Sequence, residues 1–116
     1  MTPIEAAYES AKDRMPGISL ADFSKAVEHC DVNPVILDGK MAGAVIVKGN
    51  EVHACILPWA KKRWFRRQQA RILNGIIKKH GYAVTSATTQ EGREFVERLG
   101  FVKSGAQYRK EVCYGH

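Results

Sequence analysis

Hydrophobic residues recur at helical intervals at the start of the chain. These residues are Ile4, Ala7, Tyr8, Ala11 and Met15. Intervals of three and four residues place apolar side chains on one face of a helix. Thr2, Pro3 and Glu5 supply a capping hydroxyl, a proline for the first helical position and the glutamate of a capping box. This pattern predicts a helix that begins after Thr2 and ends before the proline and glycine at 16–17.

A second capping pattern, Ser19 with Asp22, predicts a second helix. Its expected buried face consists of Phe23, Ala26, Val27 and Cys30. We expect Asn33 and Pro34 to end this helix, because proline cannot continue one.

Three strands are predicted next. Apolar stretches at 35–37 and 41–47 flank Asp38-Gly39, which is a favoured two-residue hairpin turn. Residues 48–50 form a second reversal into a strand over 51–57, which ends at Pro58. These turns make the three strands consecutive and antiparallel.

The second half of the chain alternates between helices and strands. The periodic residues Ile72, Leu73, Ile76 and Ile77 predict a third helix, and residues 83–87 a short strand. A capping box from Thr88 to Glu91 opens a fourth helix, with Phe95 and Leu99 buried and Gly100 as its left-handed end. Segments 101–104 and 108–114 complete a final strand pair. The predicted order is ααβββαβαββ in a single α+β domain that covers residues 1–116.

Size and composition limit the class of protein. A chain of 116 residues can bury one core, and it contains no apolar run of membrane-spanning length. The N-terminus lacks the features of a secretory signal, so we expect a cytoplasmic protein with no membrane partner. The cysteines are odd in number and lack paired short spacing, which favours free thiols over a zinc site, and no metal site is predicted.

The net charge of +6 is unevenly distributed. No acidic residue occurs between Glu51 and Glu91. The cations in that stretch are Lys61, Lys62, Arg63, Arg66, Arg67, Arg71, Lys78 and Lys79. A field of one sign attracts a phosphorylated cofactor, a nucleic acid or an acidic protein, and charge alone does not choose among them.

Residues 51–101 run strand, basic connection (61–67), helix, strand and helix, and close with Leu99-Gly100-Phe101. This order and ending resemble the GNAT (Gcn5-related N-acyltransferase) superfamily over somewhat more than half of the chain. The resemblance implies a three-layer α/β/α fold with a mixed, mostly antiparallel sheet. The family has one more strand before the first helix, and the start of this chain is too short to supply it. The shortened start resembles small GNAT-like proteins of tailed bacteriophages, some of them packaged in the virion, which implies host cytoplasm or virion as the location.

In that family, acetyl-CoA is held at the end of the strand that corresponds to residues 51–57 and at the start of the helix that follows. The resemblance therefore implies that the cofactor-binding residues are Cys55, Ile56, Leu57, Arg66, Arg67, Gln68, Gln69, Ala70 and Arg71. Backbone N–H groups at a helix start meet the pyrophosphate. The family pattern is Gln or Arg, two residues, Gly, one residue, then Gly or Ala. Ala70 fits its last place, whereas Phe65 and Gln68 depart from it, and the arginines can supply charge in place of the glycine.

The resemblance also implies a base on the strand before the cofactor loop. Glu51 and His53 share one face of that strand, so either is a candidate to deprotonate an acceptor amine. Alternatively, Glu51 is a solvated residue beside a turn and His53 a half-buried strand residue. Val96 stands where the family has the tyrosine that acts as general acid. The resemblance therefore leaves Tyr82, Tyr108 or water to protonate the leaving CoA thiolate.

Three functions follow from these residues. The first is an acetyl-CoA-dependent N-acetyltransferase that acts on an amine of a small molecule or a protein. The second is an inactive GNAT-fold binding or structural module, for example in a phage particle, that uses the basic loop at 59–67 to bind a protein or nucleic acid. The third is direct nucleic-acid binding through Arg67, Arg71 and Lys78, with Trp59, Trp64 or Phe65 stacking on bases. Open sheet edges are also compatible with a homodimer.

Overall fold

The computed structural model describes residues 1–115, which form four α-helices, six strands and two short 3₁₀ turns. The helices are α1 (Pro3–Ala11), α2 (Leu20–Ala26), α3 (Arg67–His80) and α4 (Gln90–Arg98). The strands are β1 (Asp31–Leu37), β2 (Lys40–Lys48), β3 (Glu51–Ile56), β4 (Ala83–Thr85), β5 (Val102–Ser104) and β6 (Gln107–Lys110). The hydrogen-bonded strand order is β1-β2-β3-β4-β6-β5, with β3 and β4 parallel and β1–β2, β4–β6 and β5–β6 antiparallel. The predicted α+β class and mixed sheet are confirmed.

The described residues divide into two compact units. The first unit consists of Met1–Lys48 and Ala54–Arg66, and the second of Gly49–His53 and the residues from Arg67 onwards. Strand β3 therefore contributes its first three residues to the second unit and its last three to the first.

The two helices of the first unit begin where their caps predict. The Thr2 hydroxyl accepts a hydrogen bond from the Glu5 N–H at 3.1 Å, and the Glu5 carboxylate accepts one from the Thr2 N–H at 2.8 Å. Ser19 and Asp22 form the same reciprocal pair. The helices then bury their apolar faces against β2, in a cluster of Ala7, Phe23, Val27, Ala44 and Ile46.

The predicted end of the second helix is wrong. Helix α2 ends at Ala26, and β1 already begins at Asp31, so Asn33 and Pro34 lie inside a strand. Pro34 is tolerated there because β1 stands at one end of the strand order and pairs with β2 on one side only, and edge strands are where proline is found within sheets. Ala26 is exposed rather than buried, whereas Phe23 and Val27, four residues apart, are both buried.

The β1–β2 hairpin has the predicted turn. Leu37 pairs with Lys40, and Asp38 and Gly39 occupy the loop with φ values of 54° and 76°. Positive φ at both central residues is the requirement of a type I′ turn. Further along β2, Gly43 has a φ of 148°, and a Cβ atom built there would lie 2.1 Å from the Cys55 carbonyl oxygen of β3. The two strands approach this closely because residue 43 has no side chain.

In the second unit, α3 lies between the parallel strands β3 and β4 along the chain, and Glu51 pairs with Val84. Helix α4 is capped by Thr89, whose hydroxyl accepts the Gly92 N–H at 3.0 Å, rather than by Thr88 as predicted. It ends as predicted at Gly100, whose φ is 98°. The N–H groups of Gly100 and Phe101 donate to Glu97 and Val96, both at 3.0 Å, which is a Schellman motif.

The final strand pair is shorter than predicted, because β6 ends at Lys110. The chain then returns to α3, where the Asn74 side chain holds the backbone of Tyr114. The Tyr114 N–H donates to Asn74 Oδ1 at 2.6 Å, and Asn74 Nδ2 donates to the Tyr114 carbonyl oxygen at 3.0 Å. This pair of bonds, which we call the Asn74 clamp, fixes the last described residues beside α3.

Candidate functional site

The two candidate bases lie together at the start of β3, in the second unit. Their alternation along the strand puts both side chains on one face. His53 Nε2 lies 3.8 Å from Glu51 Oε2, and the two side chains are 40% and 48% exposed, respectively. This separation is too long for a hydrogen bond, but the carboxylate would stabilise an imidazolium ion. The pair can accept a proton from a ligand that approaches from solvent.

The three predicted cofactor residues at the end of β3 lie in the first unit. Cys55 packs against the cluster that contains Phe23 and Ala44, and burial raises the pKa of its thiol, with the Arg14 charge opposing this in part. Ile56 is buried, and the N–H of Leu57 donates to the Ala42 carbonyl oxygen at 2.8 Å. The Cys55 side chain therefore serves as part of the core, and its thiol is disfavoured as a nucleophile.

The basic loop is partly engaged within the first unit. Arg63 Nη1 lies 3.3 Å from Asp38 Oδ2, and Arg66 Nε donates to the Arg63 carbonyl oxygen at 3.3 Å. Trp64 is only 7% exposed and meets Phe65 edge-on, with ring centroids 5.5 Å apart. Trp64 is buried because an indole ring is more stable in the core than in solvent. Its ring therefore cannot stack on a base, contrary to the hypothesis of direct nucleic-acid binding.

The remaining predicted cofactor residues open α3, in the second unit. The side chains of Arg67, Gln68 and Arg71 are exposed, Ala70 is half-buried and Gln69 is buried. Within residues 1–115, Arg67 and Arg71 form no ion pair and no side-chain hydrogen bond. The first turn contains no carboxylate. Cations near a helix N-terminus add to the partial positive charge of the helix dipole at that end. An anion at this end of α3 would therefore be stabilised by both.

The candidate proton donors occupy different environments. Tyr108 is buried opposite Thr85 in the β4–β6 ladder. Tyr82 is half-buried, with the Arg109 guanidinium carbon 3.7 Å from its ring centroid. Arg109 Nε also donates to Glu111 Oε1 at 2.9 Å. Sequence reasoning missed this cluster, although residues 109 and 111 both fall in the predicted strand segment 108–114, where alternation puts them on one face.

No family model, curated protein or solved structure matches the chain. Within residues 1–115, no group of three His, Cys, Asp or Glu side chains is arranged to hold a metal ion. None of the described helices combines the length and apolar character needed to cross a membrane.

Proposed function

We propose that the chain is a GNAT-type N-acetyltransferase that transfers the acetyl group of acetyl-CoA to an amine of a small molecule or a protein. One feature of the second unit carries the proposal. Helix α3, which connects two parallel strands, carries Arg67 and Arg71 near its start. Neither arginine has an ionic partner among the described residues. Phosphate groups bind well at such a helix start, because backbone N–H groups, the helix dipole and the cations all favour an anion there.

The residues at the start of α3 fit a phosphate-bearing cofactor by charge. Guanidinium groups bind phosphate oxygens through two parallel hydrogen bonds, so Arg67 and Arg71 would hold the phosphates. Gln68 stands where the family has a glycine, and its side chain is exposed. We therefore assign the grip on the cofactor to arginine charge rather than to close backbone approach. Bound acetyl-CoA would supply the acetyl group as an activated thioester.

His53 is the proposed general base. Its imidazole would take the proton from the acceptor amine, and the Glu51 carboxylate at 3.8 Å would stabilise the imidazolium that forms. Val96 has no proton to donate and Tyr108 is buried, so we assign protonation of the leaving thiolate to Tyr82 or water.

Isothermal titration of acetyl-CoA at low and moderate salt tests the cofactor assignment. We expect saturable binding that survives moderate salt and is lost in the Arg67→Gln/Arg71→Gln variant. The matched control is Lys25→Gln/Lys40→Gln, which removes the same charge from two exposed positions of the first unit. Equal affinity in both double variants would refute the assignment of the phosphates to α3.

Turnover is tested separately, by chromatographic detection of free CoA with a panel of primary amines. His53→Gln should lower kcat while acetyl-CoA affinity stays unchanged, because the imidazole acts on the amine. A pH–rate profile with an acidic limb in the parent and none in His53→Gln would identify the base. An unchanged kcat in His53→Gln would exclude His53 from this role.

Val96 favours a second candidate, an inactive GNAT-fold binding module. The hydroxyl that the family uses is absent there, and the Val96 carbonyl closes α4 by accepting the Phe101 N–H. This candidate predicts acetyl-CoA binding without release of free CoA at any amine concentration. Measurable turnover would exclude it.

A further inference from the structure

The solvent-exposed side of α3 carries a line of cations that extends well beyond the first turn. Arg67, Arg71 and Lys78 are all exposed, and at 3.6 residues per turn they fall within an arc of about 40°. They span about 16 Å along the helix axis at 1.5 Å per residue. We call these three residues the α3 stripe. None of the three has an ion pair or a side-chain hydrogen bond within residues 1–115.

The charge of the stripe has no counterpart on its own helix. Helix α3 contains no acidic residue, so its cations lack the stabilising carboxylate partners that can lie three or four residues away on a helix. Basic residues in the last turn interact favourably with the negative end of the helix dipole, whereas Arg67 in the first turn interacts unfavourably with the positive end. Compensation of the helix dipole therefore accounts for Lys78 but not for Arg67 or Arg71.

Gly75 lies between Arg71 and Lys78 and is exposed. A Cβ atom at this position would meet nothing within 4 Å, so no packing within the described residues requires glycine. Glycine in a helix interior costs stability relative to alanine. A bare backbone at this point allows an extended chain to lie close against the helix between the flanking cations.

The Asn74 clamp places an aromatic residue next to the stripe. Asn74 stands three residues after Arg71 and four before Lys78, so it neighbours both on the helix surface. Its side chain fixes the Tyr114 backbone by two hydrogen bonds, and Tyr114 is 39% exposed. Cations beside a partly exposed aromatic ring are the combination that binds single-stranded nucleic acids, because phosphates meet the charge and bases stack on the ring.

We propose that the α3 stripe and Tyr114 bind a single-stranded nucleic acid, with phosphates on the stripe and a base on the Tyr114 ring. One strand presents a phosphate about every 3.4 Å in a stacked helix, so 16 Å of stripe is opposite about five of them. The binding is independent of sequence, since the stripe reads only phosphates and any base can stack. This inference shares Arg67 and Arg71 with the acetyltransferase proposal and goes beyond it through Lys78, Gly75 and Tyr114, which have no role in that proposal.

Fluorescence anisotropy of a labelled oligothymidine strand over a salt series tests the proposal. Three phosphate contacts predict a slope of log K against log salt of about −2. Lys78→Gln should weaken binding and reduce that slope by about 0.7. The control Lys25→Gln changes the net charge equally, but on α2, and should leave affinity and slope near those of the parent. Equal effects of the two substitutions would show that only the overall charge matters and would overturn the proposal.

The stacking contribution is tested at constant salt. Tyr114→Ala should lower affinity about 5- to 150-fold, with the salt slope unchanged, whereas Tyr114→Phe should retain affinity because the ring remains. The inference would be refuted if a duplex bound more tightly than the single strand, or if polyglutamate bound as tightly as oligothymidine. Either result would assign the surface to a different partner. Lys78→Gln and Tyr114→Ala should leave the acetyl-CoA titration unchanged, so failure of either proposal is recognised separately.

Discussion

Gly43→Ala should be one of the most damaging single substitutions in the first unit. The added Cβ would lie 2.1 Å from the Cys55 carbonyl oxygen and 2.9 Å from the Ile56 Cα, and both of these atoms belong to the backbone of β3. Backbone cannot rotate away as a flexible side chain can. The residue also has a φ of 148°, a conformation that side-chain-bearing residues rarely adopt.

The expected cost has two parts. Holding alanine in a backbone conformation reserved for glycine costs about 1–3 kcal/mol. Forcing extra volume into a packed interior costs about 1–3 kcal/mol more. Neighbouring β2 residues such as Ala42 and Ala44 are fully buried, so β2 has little room to move away. The sum, about 2–6 kcal/mol, is a large share of the roughly 5–15 kcal/mol that stabilises a typical domain.

Urea unfolding followed by tryptophan fluorescence measures this effect, because Trp64 is buried in the same unit. With a urea m-value of about 2 kcal/mol/M, the midpoint should fall by about 1–3 M. Gly75→Ala is the matched contrast: its Cβ meets nothing within 4 Å, so it should raise stability by about 0.5–1 kcal/mol through helix propensity. A Gly43→Ala variant within about 0.5 kcal/mol of the parent protein would refute the close approach of β2 and β3.

Three further predictions concern side chains outside the proposed catalytic residues. In a variant that keeps Cys55 as its sole cysteine, iodoacetamide should alkylate the folded protein much more slowly than the urea-unfolded chain at pH 8, because burial raises the thiol pKa; equal rates would contradict that burial. Asn74→Ala removes two hydrogen bonds to Tyr114 and should destabilise the protein by about 1–3 kcal/mol, with faster amide exchange at Tyr114 by NMR, and unchanged exchange would argue against the clamp. The Thr2 backbone N–H lowers the pKa of Glu5, so the stability from ionised Glu5 should be complete above about pH 4.3 and be lost as pH falls through the lowered value; Glu5→Gln should flatten thermal stability in that acidic range, and an unaltered pH dependence would exclude the contribution.

Local signals in the sequence predicted the starts and turns of the elements well. The reciprocal caps at Thr2 and Ser19, the Asp38-Gly39 hairpin and the left-handed Gly100 all depend on neighbours within about five residues along the chain. Their physics is complete within a short segment, so the residues themselves are sufficient evidence. Thr88 and Thr89 show the limit, because two adjacent hydroxyls can each cap a helix, and only the packing of α4 decides between them.

Features that depend on distant parts of the chain were not predicted. Pro34 favoured a helix end in local terms, but pairing with β2 makes it part of a strand. Trp64 stands among cations and yet is buried, and the Arg109 guanidinium over the Tyr82 ring depends on a strand register that no local pattern specifies. The candidate bases were placed on one face correctly, since alternation along a strand is local, whereas their 3.8 Å separation required the structure.

Pro34 in β1 has a consequence for how this protein would aggregate. The outer strands of a sheet are templates on which a foreign β-strand can grow, and proline interrupts the row of donors that such growth needs. Strand β5, at the other end of the strand order, has three exposed residues and no proline. Pairing with a second chain should therefore start at β5, where the three-residue length of the strand and the charge of Lys103 limit how far it extends.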